Sequence, residues 1–162
     1  MRWREALIDN ATDSEIANKV ACALQRLLDV DPFLLVADAN ERSIAHRLGV
    51  HLNSVFEDWD VDCEYNRDGH EPKKLRLSDN CTNQSDQEEG SRVYPDIIVH
   101  RRNSSDNLLV IEVKKSTSKI SRDCDLEKLR EYRSQLGYKH ALFVEFCTKE
   151  SKPDINVARW IG

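Results

Sequence analysis

The sequence has no apolar stretch long enough to cross a bilayer and no basic-then-apolar leader at its start. A membrane partner is therefore not expected, and a cytoplasmic location is. It has no C-x-x-C pair. Its five cysteines, Cys22, Cys63, Cys81, Cys124 and Cys147, are odd in number and widely spaced, which suggests neither a disulfide scaffold nor a zinc knuckle. Cys22 and Cys147 lie in largely apolar segments and are expected to be partly buried, Cys81 and Cys124 exposed. Positive charge is not in excess. A formal net charge of −5 argues against binding nucleic acid through a uniformly basic surface, while leaving room for local basic groups. No helix carries a clear recognition pattern for the major groove, and no exposed apolar seam marks a dimer interface.

What is present suits one domain over residues 1–162, with 40% hydrophobic and 33% charged residues. A first helix is expected over residues 12–29, where Thr12 and Glu15 have capping-box spacing and Ile16, Val20, Ala23, Leu24 and Leu27 recur at helical period. Asp31-Pro32 stops it. A second helix is expected from Ala39 to Leu52 behind an Asp38 cap, with Ile44, Ala45, Leu48 and Leu52 as its buried stripe. Glu41 projects from the stripe side of its first turn. It can complete a capping box with Asp38, or reach a site on the sheet beyond. Arg42 and His46 fall on a solvent-facing arc.

Residues 55–66 read as a strand, with Trp59, Val61 and Cys63 inward and Asp58, Asp60 and Asp62 as a solvated acidic row guarding an edge. Residues 67–92 read as a flexible insertion holding a basic Lys73–Leu77 stretch that is a short strand or a mobile patch. A third helix is expected over Ser121–Leu136, closed by Gly137, and a strand over Tyr138–Cys147. Residues 155–161 are expected to cover the sheet edge or add a short strand, with Trp160 packed on the domain.

The centre of the sequence is Tyr94-Pro95-Asp96-Ile97-Ile98-Val99-His100, a turn-forming run, then Leu108-Leu109-Val110-Ile111-Glu112-Val113-Lys114. An antiparallel hairpin turning near Ser104 sets Asp96 opposite Glu112 and Ile98 opposite Val110. Alternation puts Glu112 and Lys114 on one face and Ile111 and Val113 on the other. Two carboxylates across a ladder repel, and a divalent cation with a preference for hard oxygen ligands removes that repulsion. Lys114 then supplies a positive charge beside the ion, able to orient a water or stabilise charge on a phosphate. The plainer alternative is a surface pair on a solvated strand. The nearly continuous apolar runs around these charges argue for a purpose.

Pro95-Asp96 followed after the turn by Glu112-Val113-Lys114 resembles the signature of the PD-(D/E)XK nuclease superfamily, over residues from about Val55 to Phe146. The resemblance implies an α/β fold with a restriction-endonuclease-like core, a central mixed β-sheet flanked by α-helices. It implies hydrolysis of phosphodiester bonds in DNA with Mg2+, or Mn2+ as a substitute, leaving endonuclease and exonuclease action open. Asp96 and Glu112 would be metal ligands, completed by the Val113 carbonyl, with Glu41 contributing from its helix and Lys114 as catalytic lysine. Lys115, Lys119, Lys128, Arg130 and Arg133 are the candidates for DNA backbone contacts. A homodimer would let two sites address two strands. The competing expectation is a catalytically inactive nuclease-like domain that binds DNA or a protein partner. Gln135 and Tyr138 resemble a glutamine-and-tyrosine motif of some exonuclease branches, at a spacing that departs from theirs.

Overall fold

The structure is a computed structural model, and it describes residues 2–65, 74–81 and 91–162. Four helices lead: α1 (Arg2–Asp9), α2 (Ser14–Val30), α3 (Pro32–Val36) and α4 (Glu41–Val55). Strand β1 (Asp60–Cys63) follows, then the short β2 (Lys74–Leu75), a 3-10 turn (Asp79–Cys81) and β3 (Ser91–Arg92). The remainder is β4 (Ile97–His100), β5 (Asn107–Lys115), α5 (Asp123–Leu136), β6 (His140–Cys147) and β7 (Asp154–Trp160). The main sheet has the order β1-β4-β5-β6-β7, and β2 and β3 form a separate two-stranded ribbon. Among the described strands only β5 and β6 pair in parallel, and α5 is the crossover that a parallel pair requires. The fold is thus α/β, a central mixed sheet flanked by helices.

Side-chain alternation divides the core in two. Ile97, Val99, Ile111, Val113, Leu142 and Val144 pack on one face against α1, α2, α3 and α4. Ile98, Val110, Ala141 and Phe143 pack on the other against Leu129 and Tyr132 of α5. The expected stripes of α2 and α4 are buried as read. Each fully buried leucine among them stabilises the fold by roughly 1.5–3 kcal/mol.

The caps differ from expectation. Asp13, not Thr12, starts α2, because its carboxylate accepts the Ile16 N–H at 3.1 Å. Asn40, not Asp38, caps α4, its side-chain oxygen accepting the Ser43 N–H at 2.7 Å. Asp38 instead takes a left-handed conformation, φ 55°. Glu41 is therefore the first helical residue, and the capping-box explanation for it fails.

The expected strand over residues 55–66 shrinks to Asp60–Cys63, since α4 continues to Val55 and Phe56 is fully buried beyond it. Asp62 is not solvated. It takes the His100 Nε2 at 2.7 Å and the Arg102 guanidinium at 2.6 Å. Helix α1 was not anticipated; it buries Trp3 and Leu7 and receives a 2.8 Å hydrogen bond from Trp160 Nε1 on the Leu7 carbonyl. β7 is a full edge strand on β6.

The insertion expected over 67–92 falls largely on residues outside the described set. Its described part, 74–81, is fastened to α5. Leu75 is fully buried, Gln135 bonds both the N–H and the carbonyl of Arg76, and Glu127 accepts the Ser78 N–H. A Cys81–Cys124 disulfide closes this attachment, with Cα atoms 5.5 Å apart. These two cysteines were expected to be unpaired; their separation of 43 residues carries no spacing signal, and only the first turn of α5 brings them together. Cys22, expected partly buried, is exposed, because it lies off the buried stripe of α2. Among the described residues no helix is long and apolar enough to cross a membrane.

Candidate active site

The β4–β5 register is the one read from the sequence: Ile97 opposes Ile111 and Ile98 opposes Val110, with an irregularity only beyond Val99, towards the turn. Asp96, one residue before β4, therefore meets Glu112 at the open end of the hairpin. Asp96 Oδ2 accepts the Val113 N–H at 2.7 Å, and the Asp96 and Glu112 carboxyl groups act on each other's titration. Burial and the neighbouring Asp96 charge push Glu112 well above the usual carboxylate range. Burial also raises Asp96, against the opposing pull of the Glu112 carboxyl and the Val113 N–H. Both members of the pair are thus raised, Glu112 the more strongly.

Glu112 is 5% exposed and Lys114 7%. Both face α5, as alternation requires. From α5, the Tyr132 hydroxyl donates to Glu112 Oε1 at 3.3 Å, and Asp125 Oδ2 lies 2.8 Å from Lys114 Nζ. Burial alone would lower Lys114; the close Asp125 carboxylate and its charge outweigh it and raise it, holding an ammonium. Burial and the Glu112 charge push the Tyr132 hydroxyl well up, so it stays a neutral donor.

Glu41 reaches the site from the opposite side. Its Oε2 accepts the Lys115 N–H at 2.9 Å, and its Oε1 is 3.9 Å from Lys114 Nζ. The loop before α4 is held by the same strand end: Lys115 Nζ lies 3.3 Å from Asp38 Oδ1, and Thr117 Oγ1 donates to that oxygen at 2.8 Å. Arg122 secures the turn after β5, donating to the carbonyls of Lys115, Ser118 and Ile120 and to Glu145.

The expected DNA-contacting residues divide. Lys115 is committed to Asp38 and is not a free cation for phosphate. Lys119 and Arg130 are exposed. Lys128 is half-buried and its charge acts on Glu112. Arg133 is exposed but donates to the Ile161 carbonyl, at the far end of α5. Arg42 and His46 are solvent-exposed as expected, yet they lie beside the site. With Leu34, Ala45, Arg47 and Glu64 they wall a cleft of about 530 Å³ that also includes Asp96.

Asp125 and Tyr132 are the site-facing residues that sequence reasoning missed. Helical spacing puts Tyr132 with Leu126, Leu129 and Leu136 on the inward stripe of the third helix, and Asp125 is not singled out. A helical pattern gives which residues face inward, but not where along the sheet each comes to rest. The one available signal was helical spacing, Asp125 lying four residues before the buried Leu129 and Tyr132 three after it, too general to select them.

Among the described residues no three His, Cys, Asp or Glu side chains gather into a set that could hold a metal ion. Asp96 and Glu112 converge, but the Glu41 carboxylate is engaged by Lys115 and Lys114. The donors that converge are two carboxyl groups, a half-buried Asp96 and a buried Glu112, both raised above the usual carboxylate range. Mg2+ is commonly held by one or two carboxylates, completed by water and substrate phosphate. No family model matches the chain, and no curated protein or solved structure matches it either.

Proposed function

We propose that the chain is a Mg2+-dependent nuclease hydrolysing phosphodiester bonds in DNA, built on a restriction-endonuclease-like core. The observation that carries this reading is the convergence of a half-buried Asp96 on the buried Glu112, with Lys114 on the same face. The order of α4, the β4–β5 hairpin, the α5 crossover and a parallel β6 supports the fold assignment.

Asp96 and Glu112 would hold Mg2+ or Mn2+, with the Val113 carbonyl as a further ligand and Glu41 acting through water. Such an ion supplies a Lewis acid for the phosphate and a bound water of lowered pKa. Lys114 orients that water or offsets negative charge developing on the phosphate. Tyr132 holds one oxygen of Glu112 and fixes its orientation. The cleft between α4 and β1 offers DNA an approach to Asp96, with Lys119 and Arg130 as exposed cations elsewhere on the surface.

The test is cleavage of duplex, branched and single-stranded DNA, and of RNA, with Mg2+ and with Mn2+. Asp96→Asn, Glu112→Gln and Lys114→Ala are expected to lower cleavage by about 100-fold or more while remaining folded. Folded variants that cut as well as the parent would reject the assignment.

A second reading is a nuclease-like domain that binds DNA or a protein without cutting. It is favoured by the lack of a three-ligand metal set among the described residues. A parent protein that binds duplex DNA but cleaves none of these substrates would select it.

A further inference from the structure

We propose that Asp125 is a positioning residue that fixes the Lys114 ammonium over the acid pair. The inference rests on the nuclease reading of that site and adds to it a residue on a different element. A lysine has a long stem with free rotation about each bond, so an amino group used in chemistry needs something to hold it. Two acids approach Lys114 Nζ. Asp125 Oδ2 does so at 2.8 Å and Glu41 Oε1 at 3.9 Å, so direct contact belongs to Asp125. The pair is sheltered, with side chains 8% and 15% exposed, and water competes little for either partner.

Asp125 is itself firmly placed. It sits in the first turn of α5, where a carboxylate also meets the positive end of the helix. Its neighbour Cys124 is tied to Cys81, and one turn on, Leu129 is fully buried in the core beneath the sheet. A carboxylate anchored in this way restrains the lysine from the side opposite Glu41. The ammonium then stays between α5 and α4, on the sheet face that carries Glu112. Asp125 is not hydrogen-bonded to Asp96 or Glu112, though its charge raises both; its one close contact at the site is with Lys114 Nζ.

The competing explanation is that Asp125 only neutralises a buried lysine. The two differ in what Asp125→Asn and Asp125→Glu do. The readouts are single-turnover DNA cleavage with Mn2+, the rise in Tm on adding Mn2+, and the rate of Lys114 acetylation by acetic anhydride, followed by mass spectrometry without metal. Expected for Asp125→Asn is a fall of about 10–100-fold in kcat, the range for residues that orient a catalytic group from behind. KM and the Mn2+-induced rise in Tm should change little, Lys114 should acetylate several-fold faster, and Asp125→Glu should recover part of kcat.

Faster acetylation with kcat within about 3-fold of the parent would overturn the proposal and leave Asp125 a structural counter-ion. Unchanged acetylation would also overturn it, by showing that Asp125 does not restrain the lysine. If the parent cleaves no substrate, the nuclease reading has failed. The acetylation arm still reports whether Asp125 holds Lys114, so the two failures are distinguishable. Should Asp125→Asn not fold, Asp125→Glu, with the charge retained and displaced by one methylene, carries the same comparison.

Discussion

Glu41 Oε2 accepts the backbone N–H of Lys115 at 2.9 Å, joining the first turn of α4 to the last residue of β5 across 74 residues of sequence. The contact makes Glu41 a structural clamp whatever else it does. Glu41→Ala should leave that N–H without its acceptor and cost about 1–3 kcal/mol. Glu41→Gln keeps an acceptor oxygen and should cost less than half as much. Urea unfolding of the two variants checks the difference; equal losses would mean that charge, not the hydrogen bond, is what matters.

The acid pair predicts an unusual dependence of stability on pH. Asp96 and Glu112 are raised in the folded protein, so above the ordinary carboxylate range of about 4 the folded state binds more protons than the unfolded chain. Stability without metal should therefore fall as pH rises from there through the folded values. Mg2+ or Mn2+ should reverse the fall, and Asp96→Asn should flatten it. Tm measured from pH 5 to 8 in EDTA and then in MgCl2 tests this. A metal-free Tm that holds level across that range in the parent would count against a pair of raised acids.

Asp62 acts in the opposite sense. Burial would raise it, but the hydrogen bonds from Arg102 and His100 outweigh burial and lower it. Its contribution is present above about pH 4 and is lost as pH falls through the lowered folded value. Asp62→Asn should reduce stability near neutrality by about 1–2 kcal/mol, less than one hydrogen bond to each partner would suggest, because Arg102 remains half in solvent. The loss should shrink at pH 3. A constant loss between pH 3 and 7 would show that geometry rather than charge holds this corner.

Gly49 lies where α4 crosses β1. A Cβ added there would sit 2.8 Å from Cys63 Sγ, closer than side-chain carbons approach sulfur. Alanine would gain up to about 1 kcal/mol of helix propensity, against about 1–3 kcal/mol for overpacking. Gly49→Ala alone should destabilise, whereas Gly49→Ala with Cys63→Ala should be more stable than Cys63→Ala alone. Thermal melts of the three variants give the answer. The Cys63 thiol, pushed to about 11 by burial and by the charges of Asp62, Asp96 and Glu64, should also be slow towards iodoacetamide at pH 8.

The disulfide closes a loop of about 40 residues, and removing it should cost roughly 2–4 kcal/mol by the loop-entropy argument. Dithiothreitol and the double variant Cys81→Ser/Cys124→Ser should lower Tm by similar amounts. A drop with dithiothreitol that the double variant does not share would point to another thiol.

The parts of this molecule legible in the sequence are those governed by short-range rules. The hairpin register could be read because a turn-forming run centred near Ser104 sets which residues oppose one another, and the irregularity falls beyond Val99. Stripes of α2 and α4 were legible from their helical period. Caps were less so. Asp13 and Asn40 each have a rival one or two residues away, and choosing requires knowing which side chain can fold back onto the helix start. Contacts between distant elements were not legible. That Asp125 faces Lys114, that Lys115 is spent on Asp38, and that Cys81 meets Cys124 all depend on where α4 and α5 land on the sheet. Hydrophobic periodicity gives only which way each helix faces.

The Cys81–Cys124 bond has a consequence for where and when the protein is intact. Such bonds form in oxidising surroundings and are opened by glutathione and thioredoxin in the cytosol. In a reducing milieu residues 74–81 would lose this covalent tie and be held by non-covalent contacts, among them the Leu75 anchor, the pairing with β3 and the hydrogen bonds to Glu127 and Gln135. The redox poise of the host compartment would thus decide between a strapped and a loosened flank of α5, one residue away from the partner of Lys114.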